Sequence, residues 1–125
     1  MKRVLVVDDE PELAEVVGEY LREQYDVEIA NSGPAAIAAF HARRPDVVFL
    51  DINMPGPSGV EVLKTLRQAD PSVPVIMVTV NTDVAIVEEC LREGAFAYVP
   101  KPFDLKYMDH MAALATQQGR ASRAD

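Results

Sequence analysis

The feature that most constrains the fold of this sequence is a regular alternation of short apolar runs with longer segments of helical period. An apolar run followed by a segment of helical period occurs five times in the 125 residues. Such alternation predicts parallel βαβ units, here five βα units in one domain. The apolar runs comprise residues 4–7, 27–30, 47–50, 75–78 and 97–99.

The segments between these runs carry helix start and stop signals. Pro11 lies where the first turn of a helix tolerates proline, and Gly94 is placed to end the fourth helix. The predicted N-caps of the second to fifth helices are Ser32, Ser58 (in a capping box with Glu61), Asp83 and Asp104. The predicted apolar stripes include Leu13, Val16, Val17, Tyr20 and Leu21 in the first helix and Val84, Val87 and Leu91 in the fourth.

The fold class follows from the pattern within the runs. The first, third and fourth runs are apolar on both alternating faces, which is typical of strands covered by helices on two sides. This favours an open, doubly wound α/β sheet, since a closed eight-fold barrel needs about twice the length. Residues 116–125 lose the apolar periodicity, and we predict a domain over residues 1–118 followed by a polar tail or linker stub at 119–125.

Composition excludes several classes of partner. With 49% hydrophobic and 26% charged residues, no apolar run near ~20 residues and one cysteine, Cys90, the sequence predicts a cytoplasmic globular protein without an internal disulfide. The formal net charge of -8 would repel phosphate backbones and anionic lipid. We therefore expect no direct binding to nucleic acid or membranes.

Chemically competent side chains follow four of the five runs. Asp8 and Asp9 follow the first run, Asp51 the third, Thr79 the fourth and, after one proline, Lys101 the fifth. In a parallel sheet these strand ends share one edge, where ligands of doubly wound folds bind. The sequence therefore predicts a site at that edge.

Three carboxylates in one place need neutralising, because two charges about 4 Å apart repel by roughly 4 kcal/mol at an effective dielectric near 20. They could share protons, pair with Lys101 or bind a hard divalent cation. Lys101 balances one charge, and Mg²⁺ suits the remainder. These parts suit phosphoryl transfer to a carboxylate, in which Asp51 attacks phosphorus while Mg²⁺, Thr79 and Lys101 hold the phosphoryl oxygens.

Four motifs, in order, give the sequence a resemblance to the receiver domain of bacterial two-component response regulators over nearly its whole length. They read VLVVDDEP, VVFLDINMPGPSG, VIMVTV and GAFAYVPKPF. The resemblance implies a flavodoxin-like receiver fold, with a five-stranded parallel sheet of order 2-1-3-4-5 and five helices on both faces.

The resemblance also implies roles for the residues of the site. Asp51 resembles the phosphoacceptor, Asp9 a direct Mg²⁺ ligand and Asp8 a ligand acting partly through water, while Asn53 contributes its backbone carbonyl to the metal. The implied donor is a phosphohistidine on a sensor histidine kinase or a phosphotransfer protein. The implied protein is a signalling switch that catalyses its own phosphorylation and dephosphorylation.

Switching is implied through Thr79 and Tyr98. Phosphorylated Asp51 would draw the Thr79 hydroxyl inward, the Tyr98 ring would turn into the vacated space, and the face made by the fourth helix, fifth strand and fifth helix would rearrange. That face could dock an output domain, a target protein or a second copy of the chain. Val80 departs from the small residue common in the family, and we expect it to narrow access to Asp51 and crowd the ring.

The lifetime of the phosphoryl group is implied to depend on the side chains two positions after the phosphoacceptor and two after the threonine. These are Asn53 and Asn81, which are polar but not bases, so we expect neither very fast nor very slow hydrolysis. Pro57 is expected to stiffen its loop, and the Lys101-Pro102 bond matches one that the family holds in the cis form.

Three other functions compete with this interpretation. A Mg²⁺-dependent phosphatase with an aspartate nucleophile, of the haloacid dehalogenase type, needs an acid two residues after the nucleophile, where this sequence has Asn53. A nucleotide-binding domain needs a glycine-rich phosphate loop, which the sequence lacks. A pseudo-receiver acting only as a binding module tends to lose the charged positions that this chain retains.

Overall fold

Five β-strands and five α-helices alternate along the chain in a computed structural model, which describes residues 1–54, 58–80, 84–101 and 104–124, with side chains as far as residue 117. The strands are β1 (Arg3–Val7), β2 (Asp26–Ala30), β3 (Val47–Asp51), β4 (Val75–Thr79) and β5 (Ala97–Pro100). The helices are α1 (Pro11–Leu21), α2 (Gly33–Ala42), α3 (Gly59–Ala69), α4 (Val84–Arg92) and α5 (Leu105–Ala124).

All five strands lie parallel in one sheet of order β2-β1-β3-β4-β5. The predicted fold class and strand order are therefore confirmed. The three central strands are buried on both faces from Val4 onward in β1 and throughout β3 and β4, as their continuous apolar runs predict.

The sheet separates two hydrophobic cores, because neighbouring residues of a strand point to opposite faces. Leu5, Val48 and Met77 face a core that includes buried residues of α2 and α3 and Cys90 of α4. Residues one position away along the same strands face a second core, which is covered by α1 and α5. The helices thus lie on both faces of the sheet, as in a doubly wound fold.

The helix caps that the structure describes match the predictions. The Ser32 and Ser58 hydroxyls accept hydrogen bonds from the backbone N–H of Ala35 at 3.1 Å and of Glu61 at 3.3 Å. Asp104 Oδ1 accepts one from the Lys106 N–H at 2.9 Å, at the start of α5. The predicted cap at Asp83 lies outside the described residues, as does Pro57. Gly94, predicted to end α4, adopts the left-handed φ of 99° that such a helix end favours.

The predicted apolar stripes were wrong at single residues of two helices. In α1, Val17 and Leu21 are buried as predicted, but Val16 is 52% exposed and the small residues Ala14 and Gly18 are buried instead. In α4, Val84 and Leu91 are 66% and 47% exposed. The buried residue within Val84–Arg92 is the small Cys90.

Helix α5 is longer than its apolar pattern. It continues to Ala124 through residues 116–124, where the sequence loses its periodicity but keeps good helix formers such as Ala, Gln and Arg. The domain boundary at residue 118 stays a prediction. No helix in the described ranges is both long and apolar enough to cross a bilayer.

Gly59, the first residue of α3, allows this helix to start directly against the end of β3. Its N–H donates to the Ile52 carbonyl at 3.1 Å, and a Cβ added here would lie 2.5 Å from Ile52 Cα and 2.6 Å from the Asp51 carbonyl oxygen. Both neighbours are backbone atoms, so neither can move without displacing the end of β3.

We expect Gly59→Ala to lower the free energy of unfolding by about 2 kcal/mol, since the added methyl group overpacks a rigid contact. Gly18→Ala is the matched control, because its Cβ would meet the flexible end of the Ile29 side chain at 3.0 Å and would improve helix propensity. Urea unfolding of the three proteins measures the difference. Equal stability of the two variants would contradict the assigned contact.

Candidate functional site

The parallel ladder brings strand ends that are distant in sequence to one edge of the sheet. Asp51 ends β3 and is paired in register with Val78, and Thr79 ends β4 and is paired with Pro100. The ladder continues past β5, where the Lys101 N–H donates to the Thr79 carbonyl at 2.8 Å. The end of β5 is thereby fixed beside the ends of β3 and β4.

Lys101 joins two buried aspartates at this edge. Its Nζ lies 3.2 Å from Asp8 Oδ2 and 3.3 Å from Asp51 Oδ2, and the aspartate side chains are 9% and 4% exposed. The other oxygen of each carboxylate accepts a backbone N–H two residues further on. Glu10 N donates to Asp8 at 2.9 Å and Asn53 N donates to Asp51 at 3.1 Å. Every oxygen of the two carboxylates therefore has a donor.

The charges of this group are only partly balanced. Burial raises the pKa of Asp51 above its ordinary value and the Asp8 carboxylate raises it further, against the lowering effects of the Asn53 N–H and the Lys101 ammonium. Burial alone would lower the pKa of Lys101, but the Asp51 and Asp8 carboxylates outweigh that effect and raise it. Two carboxylates thus face one firmly protonated ammonium, and a net negative charge remains.

Further carboxylates lie next to this pair. Single oxygen atoms of Asp8, Asp9 and Glu10 lie within 4.8 Å of one another, and Asp9 and Glu10 line an open pocket at this edge. Asp51 is joined to the group through Lys101. Oxygen donors with excess negative charge fit a hard divalent cation, so the residues present fit the predicted Mg²⁺.

Thr79 is fully buried and its hydroxyl contacts a predicted tuning residue. Asn53 Nδ2 donates to Thr79 Oγ1 at 3.1 Å. Val80 follows β4 and is 62% exposed, and the partly buried Tyr98 pairs in register with Met77. The roles predicted for these residues, like those of the metal ligands, stay predictions. Asn81 and Pro102 lie outside the described residues.

Sequence reasoning missed two residues of this edge. Glu10 completes the acidic group, and the run of three acids from residue 8 to residue 10 could have indicated it. Asn31 follows β2, and its Nδ2 donates to the Asp8 backbone carbonyl at 2.8 Å. The second strand thus also ends in a polar residue of the site, which inspection of all five strand ends could have found.

An open flavodoxin-like sheet with buried aspartates, a threonine and a lysine at its carboxyl edge defines a class of phosphoacceptor signalling domains. A family model described as "Response regulator receiver domain" matches residues 4–113. The chain therefore belongs to the receiver domain family of two-component response regulators.

Individual relatives agree with this assignment. The DNA-binding response regulator MtrA of Mycolicibacterium smegmatis is 44% identical over 106 residues, which cover 84% of this chain and 46% of MtrA. The regulatory protein AtoC of Escherichia coli is 36% identical over 118 residues, which cover 94% of this chain and 26% of AtoC. The chain thus spans less than half the length of these relatives.

Solved structures show the same fold. The crystal structure of a CheY-like response regulator receiver domain protein from Methanospirillum hungatei superposes with a TM-score of 0.94 at 26% identity and covers 98% of both chains. The agreement extends over nearly all of this chain, so the chain has the architecture of a receiver domain.

Removal of Lys101 tests the electrostatic core of the site. We expect Lys101→Met to lower the free energy of unfolding by about 3 kcal/mol without divalent cations, because two buried carboxylates lose their shared cation. Mg²⁺ should restore part of the loss. Lys64→Met is the control, since Lys64 forms an exposed pair with Glu89 at 3.9 Å and should change stability by less than about 0.5 kcal/mol. Equal effects of both changes, measured by urea unfolding, would contradict the assignment.

The raised pKa of Asp51 predicts a pH-dependent gain in stability for Asp51→Asn. A carboxyl whose pKa rises on folding contributes its full stability below its ordinary pKa of 3.8 and loses it as pH rises through the folded-state pKa. We therefore expect Asp51→Asn to have a higher Tm than the parent at neutral pH in chelator, with a difference that shrinks as pH falls towards 3.8. A lower Tm of the variant at neutral pH would refute this, and Glu93→Gln on the surface serves as control.

Proposed function

We propose that Asp51 is the phosphoacceptor of this receiver domain and that it takes a phosphoryl group from a phosphohistidine. The observation that supports this most directly is the Asp51 carboxylate held 3.3 Å from Lys101 Nζ at the carboxyl edge of the sheet. A cation at this distance is suited to hold phosphoryl oxygens as charge moves onto them. The donor would be a sensor histidine kinase or a phosphotransfer protein.

The proposed transfer is a displacement at phosphorus. An Asp51 carboxylate oxygen forms a P–O bond while the P–N bond to the donor histidine breaks, and the electron pair of that bond returns to the imidazole nitrogen. Lys101 Nζ and Thr79 Oγ1 then hold oxygens of the phosphoryl group. Water later attacks the aspartyl phosphate at phosphorus, the P–O bond to Asp51 breaks with its electron pair returning to the carboxylate, and inorganic phosphate is released with the protons of the water.

The Mg²⁺ site of this proposal comprises Asp8, Asp9, Asp51 and the backbone carbonyl of Asn53. A bound Mg²⁺ would neutralise phosphoryl oxygens and the excess carboxylate charge. The acidic group of Asp8, Asp9 and Glu10 supports the position, because its oxygen atoms already lie close together. The chain's own part is to hold these carboxylates together at one edge.

The proposed output is a change of the face made by α4, β5 and α5, driven by Thr79 and Tyr98. Apolar side chains on this face support a docking role, since Val84 and Leu91 of α4 and Tyr107 of α5 are 66%, 47% and 44% exposed. A second copy of the chain, an output domain or a target protein could bind here. MtrA is named as a DNA-binding regulator, so a DNA-binding output domain is one candidate for a longer parent protein.

The chain lacks the acidic residue that the rival phosphatase function needs. Asn53 stands where such an enzyme needs a proton donor for the leaving group, and its groups are engaged by Asp51 and Thr79. An amide cannot protonate a leaving alkoxide at neutral pH. We therefore expect no turnover of phosphate esters.

Intact-mass analysis after treatment with acetyl phosphate and Mg²⁺ tests the proposed function. The parent should gain the mass of one phosphoryl group, Asp51→Asn should gain none, and Lys101→Met should react on the order of 10²-fold more slowly because a donor to the transferred group is lost. Lys64→Met, a surface lysine of α3, should react like the parent. Full phosphorylation of Asp51→Asn, or steady hydrolysis of a chromogenic phosphate ester by the parent, would overturn the proposal.

A further inference from the structure

The side chain of Asn53 holds the hydroxyl of Thr79 in the unphosphorylated protein. Asn53 Nδ2 donates to Thr79 Oγ1 at 3.1 Å, across 26 residues of sequence and from the end of β3 to the end of β4. The Asn53 backbone N–H donates to Asp51 Oδ1 at 3.1 Å. One residue therefore contacts both the carboxylate that is proposed to be phosphorylated and the hydroxyl that is proposed to respond.

The two ends of this hydrogen bond lie in different environments. Thr79 is fully buried, whereas Asn53 is exposed. When the bond breaks, the Asn53 amide can turn to water and keep its hydrogen bonds there. Release of Thr79 therefore leaves no buried donor unsatisfied on the asparagine, and the cost of breaking the bond is that of one net hydrogen bond.

Movement of the hydroxyl towards Asp51 is incompatible with the observed bond. A change of Thr79 between staggered rotamers displaces Oγ1 by roughly 2 Å, which is enough to break a hydrogen bond of 3.1 Å. The Asn53 amide donates to Thr79 Oγ1, whereas phosphoryl oxygens on Asp51 would accept from the Thr79 hydroxyl, so the two contacts require different positions of Oγ1.

We propose that Asn53 is a positioning residue that latches Thr79 in the unphosphorylated arrangement, and that phosphorylation switches the domain by breaking the Asn53–Thr79 hydrogen bond. This role rests on the proposed phosphorylation of Asp51 and is distinct from a contribution of Asn53 to the metal or to the rate of hydrolysis. The latch sets how much of the phosphoryl binding energy is used to move the threonine.

A double-mutant cycle with beryllofluoride, a stable mimic of a phosphoryl group, measures the latch. Its affinity in the presence of Mg²⁺ is compared in the parent, Asn53→Ala, Thr79→Val and the double variant by titration of backbone amide resonances. We expect Asn53→Ala to bind the mimic about two- to tenfold more tightly than the parent, the range that one net hydrogen bond supplies. In the Thr79→Val background, where the hydroxyl is already absent, Asn53→Ala should change the affinity by less than twofold.

A second measurement needs neither the mimic nor metal. The side-chain amide resonance of Asn53, identified by its loss in Asn53→Ala, should shift in Thr79→Val and keep its position in Thr79→Ser, which retains the hydroxyl. If the chemical shift of the Asn53 side-chain amide is unchanged in Thr79→Val, the proposed latch is wrong.

The remaining outcomes separate the two proposals. Unchanged or weaker binding of the mimic by Asn53→Ala, or an equal gain in both backgrounds, would overturn the latch while leaving the proposed function intact. A parent chain that neither binds the mimic nor accepts phosphoryl would overturn the proposed function, and the latch role would fall with it. Folding is monitored in each variant by its amide spectrum, and Thr79→Ser replaces Thr79→Val in the cycle if the latter is unfolded, with the Asn53→Ala gain then expected to persist.

Discussion

The contact between one ammonium and two buried carboxylates determines the rest of this site. Lys101 Nζ contacts both carboxylates, and its charge offsets part of the cost of burying the Asp51 carboxylate beside Asp8. Burial and the Asp8 charge express that cost as a raised pKa of Asp51. Lys101 cancels only one of the two charges. The site thus keeps an excess of negative charge, which favours the binding of further cations at this edge. The Lys101 ammonium is also placed where it can contact an incoming anion.

Parallel topology makes this contact possible at low cost. Asp8 and Lys101 are 93 residues apart, yet both follow strands whose carboxyl ends share an edge. The same register places Thr79 beside Lys101 through a backbone hydrogen bond of 2.8 Å. Loop conformation therefore matters little for bringing these groups together, whereas the close start of α3 at Gly59 determines how the end of β3 is supported.

Local signals allowed most of the fold to be predicted from sequence. The five strands, the caps at Ser32, Ser58 and Asp104 and the helix end at Gly94 depend on residues near one another in the chain. The errors arose where the packing of a helix against the sheet determines which of its residues are buried. Hydrophobicity correctly favoured Val17 and Leu21 for the core but also Val16, in place of which α1 buries Ala14 and Gly18, whose small size is a signal only once the sheet is present.

Hydrogen bonds across the site were beyond sequence reasoning for the same reason. The sequence indicated Asn53 and Thr79 as separate tuning and switching residues, but their bond depends on the path of the chain after β3. Asn31 was missed because its contact is with a backbone carbonyl, which no pattern of residue types records. Residue types thus predicted which side chains lie together at the edge of the sheet. The three-dimensional structure was needed to show which of them form hydrogen bonds with one another.

The anchoring of the helices bears on how the proposed movement at Thr79 would reach a distant face. Helices α1 and α3 bury large apolar side chains, Val17 and Leu21 in α1 and Val62, Leu63 and Leu66 in α3, whereas the buried residue within Val84–Arg92 of α4 is the small Cys90. Burial of each large apolar side chain is worth about 2 kcal/mol, so the described part of α4 is held to the sheet less firmly than α1 and α3. It follows Thr79 closely in the chain, and its exposed Val84 and Leu91 would gain from a partner. The proposed shift of Thr79 would therefore change the position of α4, and the surface that it offers, more readily than the positions of α1 or α3.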